Sequence, residues 1–476
     1  MPYRLAIFET HPIQYKVPWF RALARHPDLD LTVFYCLIPD ARQQGKGFGV
    51  DFQWDVPLLD GYRYVVLKNV AKEPGVTHFL GCDTPSVYEL IAGRWPTEYA
   101  KESATRESAD YKTADGRTTD HPPSTSAAPP SSVALQAARF DAVIINGWVV
   151  KSCVQALWAC RRAGVPAILR CEANDLRPRV WWKTLIHRTL LRQFSGFIAI
   201  GASNRQFYVK RGMPAARIVD GFYCVENERF ARSCPRNTRA TLRRGWGIPE
   251  DAVCLLFCGK FEPKKRPLDV LRALARLRAD GGAAPGEERR AARARQARWV
   301  AAISGDSGPQ VSAFVPPPGL HALMVGDGEL RAECEAYVQE HRLPVTFAGF
   351  LNQSEMPKAY AVADCLVLPS DHGETWGLVV NEAMACGLPA LVSDRVGCHP
   401  DLVCVGETGY VFPFGDVGAL ADRLRELATA PERLRALGER ARERIRRYSI
   451  EALVEGTLAA LRQVTRSSCR GGAFKA

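Results

Sequence analysis

Apolar and polar positions alternate in blocks along this chain of 476 residues: short, nearly unbroken apolar runs give way to stretches in which apolar residues return every three or four positions. RLAIFET, LTVFYC, AVIINGW, PAILRCE and GFIAIG are runs of the first kind. They read as buried parallel strands because no polar face interrupts them. Helical stretches such as VPWFRALARH lie between some of them, and the series starts again near Ala252 with VCLLFCGK, HALMVGDG, PVTFAGF, ADCLVLPS and PALVSD. Two such series predict two doubly wound α/β units, and the chain exceeds one ordinary core. The first unit is expected over 1–235 and the second over 236–448, joined near 230–250, with a C-terminal helix at 449–466 packing back on the first. Two tracts of insertion composition, 97–132 and 280–319, interrupt patterns that resume afterwards and read as surface insertions. Ligands of paired units of this kind belong in the cleft between them.

The stretch HGETWGLVVNEAMACGLP sets Glu374 and Glu382 into otherwise apolar surroundings after the run ADCLVLPS. A helix is predicted from about Gly377 to Cys386, because Gly387 and Pro389 carry the spacing of a helix end. Leu378, Val379, Val380, Ala383, Met384 and Ala385 leave it no broad polar face, so Glu382 is buried and needs a partner. Glu374 falls in the loop at the helix start, where open α/β sheets bind ligands. At about 1.5 Å per residue the two carboxylates stand up to roughly 12 Å apart, the span of a ribose, a diphosphate and the start of a sugar. The backbone N–H groups of Thr375, Trp376, Gly377 and Leu378 lie between them and suit an anion. Spacing alone leaves a second reading open: a charge at a helix start and a buried glutamate satisfied by nearby backbone.

A second constellation changes that balance. After VCLLFCGK, the turn GKFEPKKRP carries Lys260, Lys264, Lys265 and Arg266 and opens a helix at the same rim of the second unit. Cations there can neutralise a diphosphate, although a basic turn facing solvent has the same letters.

The net charge of +12 admits phosphate, anionic lipid or nucleic acid as a partner. Part of that charge is the run EERRAARARQAR inside the second inserted tract, and no aromatic-interleaved basic motif occurs, so nucleic acid is set aside. The fifteen cysteines contain no CxxC pair, which points away from zinc and towards a reducing cytosol. The N-terminal MPYRLAIFETHPIQY reads as a strand and its loop, neither a signal peptide nor a membrane span. Asp28, Leu29 and Asp30 have the letters of a metal-binding acidic motif but read as a turn entering a strand. RPRVWWKTLIHRTLLRQF is the candidate for membrane contact. Its cations surround the helix, so it reads first as a core-packed helix of the first unit, with weak peripheral contact to the inner face of a membrane as the second reading.

Taken in order, the turn after Gly259, GDGEL, FAGF, GETWGL and NEAMACGLP resemble glycosyltransferase family 4, the retaining nucleotide-sugar enzymes of GT-B fold. The resemblance covers most of 252–427 and extends more loosely over the first unit. It implies two Rossmann-like domains facing across a deep cleft, transfer from a UDP- or GDP-type sugar donor to a glycan, lipid-linked or small-molecule acceptor, and no metal or other cofactor. It makes Glu374 a contact to sugar hydroxyls, Glu382 a ribose ligand, and Lys265 and Lys260 the cations on the diphosphate. Gly373, Thr375, Trp376, Gly377, Leu378, Phe350 and Leu351 complete the implied donor site. It also implies a cytoplasmic enzyme of polysaccharide biosynthesis.

The departures are specific. Lys260 stands where an arginine is usual, which loses a bidentate fork and keeps the charge. The loop ETHPIQYKVP lacks the family's glycine pair and offers His11 and Gln14 instead, and NGW at 146–148 lies where many relatives carry a histidine. The alternative within the fold is a nucleotide-sugar epimerase, which lacks the GETWGL-type turn. A basic nucleic-acid- or membrane-binding protein is the alternative of another class.

Overall fold

The computed structural model describes residues 1–95, 139–177, 179–234, 238–282 and 319–470. The tract 97–132 and most of 280–319, read above as insertions, lie outside the described residues. The first unit is a seven-stranded parallel sheet: β1 (Tyr3–Glu9), β2 (Leu29–Tyr35), β3 (Tyr64–Val66), β4 (Ala142–Asn146), β5 (Ala167–Cys171), β6 (Gly196–Ala199) and β7 (Ile218–Asp220), in the order β3-β2-β1-β4-β5-β6-β7. The second repeats the order with six strands: β8 (Val253–Cys258), β9 (Leu320–Val325), β10 (Val345–Gly349), β11 (Cys365–Leu368), β12 (Ala390–Ser393) and β13 (Gly409–Phe412), arranged β10-β9-β8-β11-β12-β13.

The unbroken apolar runs are the central strands except for PVTFAGF, which is the half-buried edge strand β10, and β4, β8 and β11 are buried almost throughout because helices cover both faces. Strands β3, β7 and β13 were not anticipated. Each holds only three or four residues and lies at or next to a sheet edge.

The helix Ile450–Arg470 returns to the first unit. Leu453, Val454, Leu458, Leu461 and Val464 recur at helical spacing and are buried with Trp19, Phe20 and Leu23 of the helix Val17–Ala24. Trp19 Nε1 donates to Thr457 Oγ1 at 3.1 Å. Gly456 permits the approach: a Cβ there would stand 2.1 Å from the Asp220 carbonyl oxygen.

One expectation is corrected. The helix Trp181–Leu191 is not packed into the core: only Leu191 is buried, and Trp181, Trp182, Leu185 and Ile186 are exposed. Its apolar residues face outward, which an apolar stripe in sequence cannot distinguish from facing inward.

Candidate active site

A cavity of about 350 Å³ lies between the two units, and each loop that lines it follows the C-terminal end of a strand. The first unit contributes Gln14 and Tyr15 beyond β1, Phe48 and Trp54 beyond β2, Glu172 beyond β5 and Tyr223 beyond β7. The second contributes the turn 259–265 beyond β8, Gly326 beyond β9, Phe350 and Leu351 beyond β10, and much of 374–382 beyond β11.

The structure therefore brings Glu374, Lys265, Lys260, Glu382, Thr375, Trp376, Gly377, Leu378, Phe350, Leu351 and Gln14 to one cavity. Gly373 lines a smaller neighbouring cavity with Ala173, Asn174, Arg177, Arg179, Asp371, His372 and Thr375. His11 lines neither. Its Nδ1 meets Thr10 Oγ1 at 2.9 Å, and burial holds its pKa below the usual histidine value.

Glu374 and Lys265 form an ion pair across the cavity wall, with both side chains largely buried. Ser370 Oγ also approaches the Glu374 carboxylate at 3.4 Å. Glu382 sits on the helix Leu378–Ala385, where the Tyr360 hydroxyl donates to it at 2.6 Å. Burial pushes its pKa up to about 7, against the opposing effects of the Tyr360 hydrogen bond and the Arg229 charge. The helix begins at Gly377, whose φ of +103° suits glycine, and a Cβ there would press Leu368 and Val396 at 3.1 Å. Among the described residues no hydrogen bond engages the backbone N–H groups of Thr375, Trp376, Gly377 and Leu378. Donors of this kind at a helix start bind anions.

Lys260 reaches across the cleft, where its Nζ donates to the Lys46 carbonyl at 3.0 Å and lies 4.3 Å from the Phe48 ring centre. Desolvation lowers its pKa, and Lys264 and Lys265 add to the effect while Glu262 opposes it. The close approach depends on the glycine-rich loop 45–49, whose place beside the site no local pattern in the sequence shows. A Cβ at Gly47 would meet Lys260 Nζ at 3.1 Å, and one at Gly49 would meet Asp327 at 3.3 Å.

Glu172 was also missed. The Tyr223 hydroxyl donates to one of its oxygens and Thr375 Oγ1 to the other at 3.0 Å, so both units orient this carboxylate. Its position directly after an apolar strand run was the available signal. Further links close the cleft beside it: Asn174 Nδ2 donates to the Thr375 carbonyl at 3.1 Å, and Asn381 Nδ2 to the Tyr223 carbonyl at 3.1 Å. Asn146 lines neither cavity, and its two buried side-chain polar atoms have no hydrogen-bond partner among the described residues. Asp30 is held by Arg63 and lies 3.6 Å from Arg4. Among the described residues no three His, Cys, Asp or Glu side chains are placed to share a metal ion.

Residues 238–444 match the family model described as glycosyl transferases group 1. A D-inositol 3-phosphate glycosyltransferase 2 of Catenulispora acidiphila is 33% identical over 235 residues, 49% of this chain and 47% of that protein. The sulfoquinovosyl transferase SQD2 of Arabidopsis thaliana is 37% identical over 138 residues, 28% of this chain and 26% of its own length. The chain spans about half the length of the first of these curated relatives and about a quarter of the second. Among solved structures, Anabaena Alr3699/HepE in complex with UDP and glucose superposes with a TM-score of 0.59 at 14% identity, covering 96% of this chain and 99% of that one. Sucrose-phosphate synthase from Thermosynechococcus elongatus gives 0.57 at 17% identity, covering 98% and 100%. The fold is GT-B.

Proposed function

We propose that the chain, whose residues 238–444 match the group 1 glycosyltransferase model, transfers a sugar from a UDP- or GDP-type donor to a hydroxyl of a glycan, lipid-linked or small-molecule acceptor, with retention at the anomeric carbon. The observation that carries this reading is the cavity itself: Glu382, the Lys265–Glu374 pair and the unengaged N–H groups of 375–378 line one wall, and an oriented carboxylate from the other unit faces the same space. In this reading 1–235 with the C-terminal helix supplies the acceptor side and 236–448 the donor side.

Glu382 accepts the ribose hydroxyls and Lys265, with Lys260, neutralises the diphosphate as it leaves. Glu374 holds the sugar hydroxyls, and no metal is required. The acceptor attacks from the face the diphosphate leaves, so positioning and charge stabilisation supply the rate. Glu172 takes the acceptor's hydrogen bond. The setting is cytoplasmic, in the synthesis of a polysaccharide.

A screen of nucleotide-diphosphate sugars for a rise in melting temperature tests the reading, since a donor at 100 times its Kd stabilises by about 2.7 kcal/mol. No rise with any donor, together with no transfer to added acceptors, would overturn it. Glu172→Gln is expected to lower transfer about 10- to 1000-fold while leaving nucleotide affinity within about threefold, because the carboxylate serves the acceptor side. Added azide is expected not to rescue Glu172→Ala. Rescue with an inverted glycosyl azide as product would make Glu172 the nucleophile of a double displacement.

A further inference from the structure

The helix Trp181–Leu191 presents an apolar face to solvent that the transfer chemistry does not use. Trp181 is 78% exposed, Trp182 47%, and Leu185 and Ile186 57% each. At 100° per residue these four and Thr189 fall within one outward arc of about 140°, with Arg188 about 20° beyond one end and Lys183 about 60° beyond the other. The segment 177–194 contains Arg177, Arg179, Lys183, Arg188 and Arg192 and no acidic residue. Two adjacent exposed indoles flanked by cations match the boundary between lipid headgroups and acyl chains, where amphipathic rings are favoured and basic side chains meet anionic headgroups. No helix among the described residues is long and apolar enough to cross a membrane.

We propose that this face docks on the surface of an anionic lipid bilayer. Charge complementarity selects that occupant, because cations flank the face on both sides and no carboxylate lies within the segment. The location has a functional consequence. Arg177 and Arg179, just before the helix, line the smaller cavity with His372 and Gly373 of the loop that leads to Glu374. Docking sets that cavity beside the lipid surface, so an acceptor anchored in the bilayer can reach the reaction cleft without leaving it. The docking itself does not depend on the transferase reading.

Sedimentation of the full chain with vesicles tests the proposal, using phosphatidylcholine alone and phosphatidylcholine with about 30% phosphatidylglycerol. The wild-type chain is expected to sediment with the anionic vesicles, less so with the neutral ones, and to be released by salt. Trp181→Ser/Trp182→Ser and, separately, Lys183→Glu/Arg188→Glu are each expected to weaken binding about tenfold or more with the melting temperature unchanged, because all four side chains are exposed. Failure of the wild-type chain to bind anionic vesicles, or binding by both double variants as strong as that of the wild-type chain, would overturn the proposal. A concentration-dependent dimer that the tryptophan variant dissolves, without vesicle binding, would assign the face to a second copy of the chain instead.

Discussion

Replacing Lys265 with alanine is expected to lower the affinity for a nucleoside diphosphate about 10- to 100-fold and transfer about 100- to 10,000-fold. The first range is the loss of one charge-assisted contact, and the second adds the charge that develops on the leaving diphosphate. The effect is large because Lys265 also neutralises Glu374. Its removal leaves a largely buried carboxylate without its cation, on the wall that receives an anion. Lys264 is more exposed and pairs with Glu262 at 3.2 Å, so Lys264→Ala is expected to change both quantities less than about threefold.

The same ion pair separates Glu374 from Lys265. Glu374→Gln is expected to slow transfer about 10- to 1000-fold. Affinity for the nucleoside diphosphate alone should stay the same or tighten, since Lys265 no longer has to leave a carboxylate to reach the diphosphate. Calorimetry with the nucleotide, followed by turnover with the donor, gives the comparison. Equal losses for the two lysine variants would reduce the turn to a diffuse positive patch. Abolished nucleotide binding in a folded Glu374→Gln variant would reverse the roles of the two glutamates.

Glu382 is expected to make both stability and nucleotide binding depend on pH. Its folded pKa of about 7 lies above the ordinary 4.5 of an exposed glutamate. Below pH 4.5 both the folded and unfolded chains hold the proton, and Glu382 contributes no pH-dependent penalty. As pH rises towards 7 the unfolded chain ionises first, so stability is lost across that window and levels off above it, by an amount on the order of 3 kcal/mol. Glu382→Gln should remove this component, which appears as a smaller fall in melting temperature between pH 5 and 8.

Ribose hydroxyls donate to the ionised carboxylate and favour it. Nucleotide binding near pH 6 should therefore release up to about one proton, and binding above pH 8 almost none. Calorimetry in buffers of different ionisation enthalpy measures the release, which Glu382→Gln should abolish along with about 10- to 100-fold in affinity. Proton release unchanged in that variant would place the titrating group elsewhere.

The sequence by itself determined the elements whose signal is local. Unbroken apolar runs marked the central strands, and the order of runs and turns marked two doubly wound units. The glutamate pair, spaced by eight, falls in the loop and helix after β11 because Gly387 and Pro389 mark where that helix ends. The tertiary structure alone decided what depends on packing between distant segments. Glu172 meets Tyr223 and Thr375 only once two sheets face each other, and the glycine loop 45–49 meets Lys260 only across the cleft. The pairing of Lys265 with Glu374 joins residues 109 positions apart, which no local spacing encodes. The outward face of the helix Trp181–Leu191 has the same origin. Helical periodicity states that residues share a side, and only the neighbouring elements decide whether that side meets protein or solvent.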